Sequence, residues 1–258
     1  APFRGQLTSI SRKQSLIVIS SWLDWLVNAQ HIMANPFRLI NKKQGDNPDT
    51  LGEIKAISED AMKELLCFFD AVPPSPAVHR MRFLLKFLES MGLRASELLQ
   101  ARLRDLITLP EGLALQVHGK GSKYRHVMLN RQARHALNDY LVSRGLESIE
   151  SCPPEIPLLV STRNTLEPIK YSTLYDTVKH WLPKAVSTSS LPPHERARLR
   201  QASVHWLRHT FGTRLIEKGA APDAVQSSMG HASPSTLSKY TRASAKRQFT
   251  EIGRVFGV

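Results

Sequence analysis

The sequence predicts a mainly α fold with one small three-stranded antiparallel β-sheet, an α+β arrangement. Three observations lead there. Apolar residues recur at three- and four-residue spacing over most of the chain. One stretch, residues 107–129, switches to strand-like alternation around two glycine-bearing turns. Pro, Gly and Ser stand at helix-start and helix-stop positions between the periodic segments.

The elements follow in order. Residues 8–32 read as one amphipathic helix or two, with Leu16, Ile19, Leu23, Leu26 and Val27 at helical spacing and Trp22 and Trp25 beside them. Asn35-Pro36 ends that helix, because a residue before proline is pushed out of the α region. Residues 41–53 hold almost no apolar side chain and read as a linker. Ser58 then caps a helix that runs to about Phe69, with Glu59 and Asp60 in its first turn. Pro73-Pro74-Ser75-Pro76 breaks the chain. Residues 77–91 form the next helix, with Met81, Leu84, Leu85 and Leu88 on its apolar stripe, and Ser96 to about Leu103 a short one. Strands follow on either side of Pro110-Glu111-Gly112, around Ile107–Leu109 and Leu113–Val117, and at His126–Leu129 after the Gly119–Lys123 turn. Helices return at 131–143 and 171–183. Residues 184–202, rich in Ser, Pro and Arg, read as a loop-like insertion. The last third is helical: 204–218 closed by Gly219, 222–229 between Pro222 and Gly230, and 234–241 opened by Ser233-Pro234.

Composition narrows the function. The chain has 258 residues, with 35 Lys+Arg against 22 Asp+Glu, a net charge of +13. An excess of that size points to a polyanionic partner, because nucleic acid releases condensed counterions when it meets Lys and Arg. No apolar run approaches the roughly 20 residues of a membrane span, and no signal-peptide pattern opens the chain. Cys67 and Cys152 stand far apart, which fits a reducing cytosol and excludes a disulfide framework or a cysteine-rich zinc site. The first residue is Ala1 and the pattern begins mid-run, so a fragment of a longer protein is expected.

Several residues could do chemistry. On the 204–218 helix, Leu207, Phe211 and Leu215 take the core face, while His205 and Arg208, three apart, share another. The bland reading is a helix surface with two unrelated polar residues. His205 and His209 have the spacing of a helical zinc pair, but Arg208 lies between them, the Glu of the metalloprotease form is missing, and a guanidinium there repels a divalent cation. Combined, the features are more specific. An arginine follows Gly92-Leu93, Lys120 sits in a glycine-flanked turn, His205 and Arg208 share a helix, His231 stands at a helix end, and Tyr240 comes nine residues later.

With these stretches, MGLRASELLQARLRDL, VHGKGSKYRHVML, VHWLRHTFGTRLIEKGAAPDAVQSSMGH and STLSKYTRAS, the chain resembles the tyrosine recombinase (phage integrase) family over roughly residues 54–245. The resemblance implies that Arg94, Lys120, His205, Arg208, His231 and Tyr240 are the catalytic set. Glu97, three after Arg94, matches the family's acidic position and would sit one helical turn on, within reach of a supporting salt bridge. The resemblance also implies the domains: 1–44 as the C-terminal part of a helical core-binding domain, truncated; 45–56 as linker, with basic Lys42 and Lys43 beside it; and 57–258 as the catalytic domain. Double-stranded DNA is then the partner, a tetramer assembles on it, and accessory DNA-bending proteins are possible helpers. No cofactor, metal or membrane enters, and the setting is the cytoplasm, on bacterial or phage DNA.

The chemistry stands without the family name. A tyrosine nucleophile gives a covalent phosphotyrosine and conserves the bond energy for rejoining, so no metal hydroxide is needed. Arginines fork onto non-bridging oxygens and stay charged at any relevant pH. His205 and His231 can donate to phosphate oxygens or handle the tyrosine proton. Lys120 can protonate the 5′ leaving oxygen, with Lys123 of the same turn as the alternative. Two other functions stay open at this stage: a type IB topoisomerase, which shares the tyrosine chemistry, and a non-catalytic helix-turn-helix regulator built on the helix–glycine–helix run 204–229. The tail Phe249, Ile252, Val255 and Phe256, apolar at roughly helical spacing, packs either on its own domain or on a neighbouring protomer.

Overall fold

The computed structural model describes residues 7, 9–39, 55–119, 124–161 and 166–230. The chain divides into two units, residues 1–52 and residues 53–258. In the first, helix α1 spans Ser9–Asn28, followed by a 3-10 turn at Pro36–Leu39. The turn is pinned by Asn35, which is buried. Its Nδ2 donates to the Ser20 carbonyl at 3.0 Å and to Asp24 Oδ1 at 2.9 Å, and its Oδ1 accepts from the Phe37 backbone N–H at 2.9 Å. Six apolar side chains of α1 stay exposed, among them Trp22 at 58% and Trp25 at 59%, while Leu23, Leu26 and Val27 are half-buried.

In the second unit the chain forms α2 (Glu59–Ala71), α3 (Pro76–Met91), α4 (Ala95–Gln100), β1 (Leu106–Leu109), β2 (Gly112–His118), β3 (Tyr124–Met128), α5 (Arg131–Val142), α6 (Tyr171–Ser187), α7 (Pro193–Arg200), α8 (Val204–Glu217) and α9 (Pro222–Met229). Local chemistry sets these boundaries. Ser58, Ser75 and Asn130 each accept a backbone N–H with the side chain at the start of α2, α3 and α5. Gly92 and Gly230 close α3 and α9 in the left-handed conformation.

Helix α3 is the axis of this unit. It buries residues on almost every face and packs against α2, α5, α6 and α8. Phe83 stacks between Phe87 and Tyr140, with ring centroids 4.7 and 4.6 Å away. Glu89 of α3 pairs with Arg214 of α8. The antiparallel sheet runs β1-β2-β3, with Leu106 opposite Leu115 and Leu115 opposite Val127. Leu115, Val117 and Val127 enter the main core. Phe211, Ile216, Val225 and Met229 form a smaller cluster between α8 and α9.

The mainly helical fold with a three-stranded antiparallel sheet matches the expectation, and one segment corrects it. Residues 184–202 are no loop: α6 runs on through Pro183 to Ser187, and α7 occupies Pro193–Arg200. Pro183 removes one helix hydrogen bond, but Leu182, Ala185 and Val186 on either side of it are buried, and that packing outweighs the local loss. Helix α7 buries Leu199 and packs on α6. The expected 234–241 helix, the tail at 249–256 and most of the linker lie outside the described residues.

Candidate active site

Gly92 sets the first corner of the site. It ends α3 at φ +59°, and a Cβ there would lie 2.2 Å from Phe211 Cδ1. Only glycine meets both conditions, and the chain turns at once into Leu93 and Arg94. Arg94 is the N-cap of α4. Its backbone N–H donates to Glu97 Oε2 at 2.7 Å, and its guanidinium Nη1 donates to Glu97 Oε1 at 2.7 Å. The salt bridge expected from the three-residue spacing is therefore present. Glu97 also takes a two-pronged bond from Arg125 of β3, Nη1 to Oε1 and Nη2 to Oε2, both at 2.8 Å. Arg208 of α8 brings its Nη1 to 3.9 Å from Glu97 Oε2.

Three guanidiniums thus surround one carboxylate, a local charge of +2. The Glu97 side chain is 4% exposed, Arg208 3%, Arg125 12% and Arg94 38%, so the cluster is sealed on one side and open at Arg94. Burial pushes the Glu97 carboxyl up. Hydrogen bonds from Arg125, from the Arg94 backbone N–H and from the Arg94 guanidinium outweigh it, and the group is held at about 2, against an ordinary 4.5.

The same arginines grip the end of α9. Arg125 Nε donates to the Ser228 carbonyl at 2.9 Å, Arg208 Nη2 to the Met229 carbonyl, and Arg94 Nη2 to the Gly230 carbonyl at 2.9 Å. A helix leaves its last carbonyls without intrahelical partners and carries partial negative charge there. Three consecutive carbonyls are met by three arginines. Arg208 Nη1 also donates to the Gly92 carbonyl at 2.6 Å, tying α8 to the turn that orients Arg94.

Of the residues singled out from sequence, the structure brings Arg94, Glu97 and Arg208 together. His205 stands one turn before Arg208 on α8, exposed, with its ring 4.5 Å from that of His209. The shared polar face expected for His205 and Arg208 is corrected: Arg208 is 2% exposed and turned under the α3 end, because Gly92 and Met229 offer it carbonyls there. Lys120, Lys123, His231 and Tyr240 lie outside the described residues, although Gly230, which contacts Arg94, directly precedes His231. No group of three or more His, Cys, Asp or Glu gathers to hold a metal among the described residues. Nor is any helix among them long and apolar enough to cross a membrane.

Sequence reasoning missed Arg125. In the sequence it trails a basic turn and reads as one more solvated cation. The available signal was its phase on β3: it shares the inward side with buried Val127, while Tyr124, His126 and Met128 point outward. An arginine on the inward phase of a strand implies a buried anionic partner.

The chain is similar to known proteins of one family. The family model described as the phage integrase family matches residues 55–247. A tyrosine recombinase XerC of Pelobacter propionicus is 38% identical over 168 residues, covering 65% of this chain and 49% of that protein. A XerC of Staphylococcus aureus is 30% identical over 248 residues, covering 92% of this chain and 71% of its own. The chain therefore spans about half of the first relative's length. Among solved structures, the XerH site-specific recombinase bound to a palindromic difH substrate, a post-cleavage complex, is 25% identical with a TM-score of 0.57, covering 77% of this chain and 52% of that one. The Tn1549 transposon integrase in complex with transposon right end DNA shares the fold, with a TM-score of 0.69 at 19% identity, covering 96% of this chain and 80% of that one.

Proposed function

The chain belongs to the phage integrase family of tyrosine recombinases, and from that premise we propose that it cuts and rejoins double-stranded DNA at specific sites through a 3′-phosphotyrosine intermediate. The observation that carries the reading is the arginine cluster. Arg94 and Arg208, far apart in sequence, are held around one ionised carboxylate, with Arg94 open to solvent.

In the proposed reaction the Tyr240 phenolic oxygen attacks the scissile phosphorus. The new bond joins the tyrosine to the 3′ phosphate, and the bond from phosphorus to the 5′ oxygen breaks. Negative charge grows on the non-bridging oxygens. Arg94 and Arg208 neutralise it with guanidiniums already oriented by Glu97, Gly92 and the end of α9, so little reorganisation is left for the moment of reaction. Lys120 gives a proton to the departing 5′ oxygen, and Lys123 is the alternative donor. His205 and His231 hydrogen-bond the phosphate or take the tyrosine proton. Rejoining reverses these steps with a 5′ hydroxyl of another strand. Residues 57–258 form the catalytic domain and residues 1–44 belong to a core-binding domain, with 45–56 as the linker between them. Four protomers assemble on DNA, with DNA-bending proteins as possible helpers, in the cytoplasm on the nucleoid.

The target site is to be sought in the DNA on either side of the gene that encodes the chain. Nicked duplexes tiling those flanks, in which the short fragment that carries the new 5′ hydroxyl diffuses away after cleavage, should trap a covalent protein–DNA adduct. A topoisomerase would instead relax a supercoiled plasmid that lacks all of those sequences. Relaxation of that plasmid, with adduct trapped equally well on nicked duplexes of unrelated sequence, would overturn the recombinase reading.

A further inference from the structure

The arginine that sequence reasoning missed touches three parts of the site at once. Arg125 lies on β3, five residues after Lys120 in the chain. Its Nη1 and Nη2 hold both oxygens of Glu97 at 2.8 Å, and its Nε holds the Ser228 carbonyl at 2.9 Å. Its stem lies against Gly230: a Cβ on that residue would come within 3.0–3.1 Å of Arg125 Cδ, Nε and Cζ. Gly230, at φ +60°, gives its carbonyl to Arg94.

We propose that Arg125 is a positioning residue of the reaction: it locks the β2–β3 hairpin onto the C-terminal end of α9 and, through Glu97, fixes the guanidinium of Arg94. The geometry favours this over a purely structural ion pair. A planar fork that closes on both carboxylate oxygens leaves Glu97 one orientation, and that orientation presents Oε1 to Arg94. The Nε bond fixes α9 one residue before Met229, whose carbonyl orients Arg208. Moving Arg125 therefore moves both guanidiniums that the proposed chemistry uses. Arg125 commits both Nη atoms to Glu97 and its Nε to the Ser228 carbonyl, so its action runs through the groups that hold Arg94 and α9.

The test uses the full chain with Arg125→Met, which keeps the stem and removes the charge, and Arg125→Lys, which keeps the charge and removes the fork. The kinetic arm rests on the recombinase reading; the titration arm does not. In the kinetic arm, single-turnover cleavage of a nicked duplex that traps the wild-type protein is followed from pH 5 to 9. Arg125→Met should cleave about 100-fold more slowly per folded molecule, since a misplacement near 1 Å has effects of that order. The acid side of its pH profile should lie at higher pH than the wild type's, while affinity for the duplex changes less than threefold. Arg125→Lys should recover part of the rate. In the titration arm, carboxyl-carbon NMR assigned with Glu97→Gln should show Glu97 titrating at higher pH in Arg125→Met than in the wild type, because burial remains and half of its hydrogen bonds are gone. Cleavage by Arg125→Met at the wild-type rate per folded molecule with an unchanged pH profile would overturn the proposal, as would an unmoved Glu97 titration. Failure of the wild type to cleave any duplex would defeat the recombinase reading instead, with the titration still deciding whether Arg125 sets the state of Glu97.

Discussion

Glu97→Gln removes the one negative charge among three guanidiniums and leaves the shape of the side chain almost unchanged. The carboxyl is held at about 2 in the folded chain against an ordinary 4.5. At about 1.4 kcal/mol per pH unit, its ionised form contributes about 3 kcal/mol of stability at neutral pH. That is within the range of about 3–5 kcal/mol seen when one partner of a buried ion pair is removed. The pH dependence follows from the direction of the shift. A carboxyl lowered by folding contributes in full above its unfolded value of 4.5 and loses that contribution as pH falls toward 2. Urea unfolding of the wild type and Glu97→Gln should therefore show a gap of about 3 kcal/mol at pH 7 that narrows by about 2 kcal/mol at pH 3. Comparing the two proteins cancels the titration of every other group. A gap that is equal at both pH values, or smaller than about 1 kcal/mol at pH 7, would refute the argument, because it would place Glu97 with solvent-screened surface pairs.

Further predictions concern the frame around the cluster and its partner. Gly92→Ala combines a left-handed backbone with a methyl placed on Phe211 and should cost about 2–4 kcal/mol by thermal or urea unfolding; adding Phe211→Leu should restore only the packing share. Thr210 Oγ1 accepts from the Ile57 backbone N–H at 2.9 Å and donates to the Trp206 carbonyl at 2.8 Å, so Thr210→Val should cost about 1–3 kcal/mol by orphaning a buried N–H. The net charge of +13 predicts DNA affinity that falls by about 10³-fold or more between 50 and 200 mM salt, read by fluorescence anisotropy; a flat response would mean that the charge does not face DNA.

The sequence discloses this fold unevenly, and the reasons are physical. Helix α9 is legible to the residue because Pro222 opens it and Gly230 closes it, and both act locally. Helix α7 escapes because Leu199 is its one buried residue, so it has no apolar period to read; only Pro193 and Glu195 at its start and Arg198 and Arg200 at its end signal it. In the site, Arg94 and Glu97 are legible together because three residues make one helical turn. Arg125 reaches the same carboxylate through strand pairing, 28 residues further on, and only its phase on β3 hinted at burial. The carbonyls of Ser228, Met229 and Gly230 are backbone, and no side-chain pattern encodes what a backbone atom will meet.

The most direct test of the central claim locates the covalent bond. The adduct trapped on the tiled nicked duplexes is digested with protease and nuclease, and the nucleotide-bearing peptide is sequenced by mass spectrometry. The account predicts a 3′-phosphate ester on Tyr240, with Tyr240→Phe binding the same duplex at near wild-type affinity and forming no adduct. An ester on any other residue, or an adduct that persists in Tyr240→Phe, would contradict it.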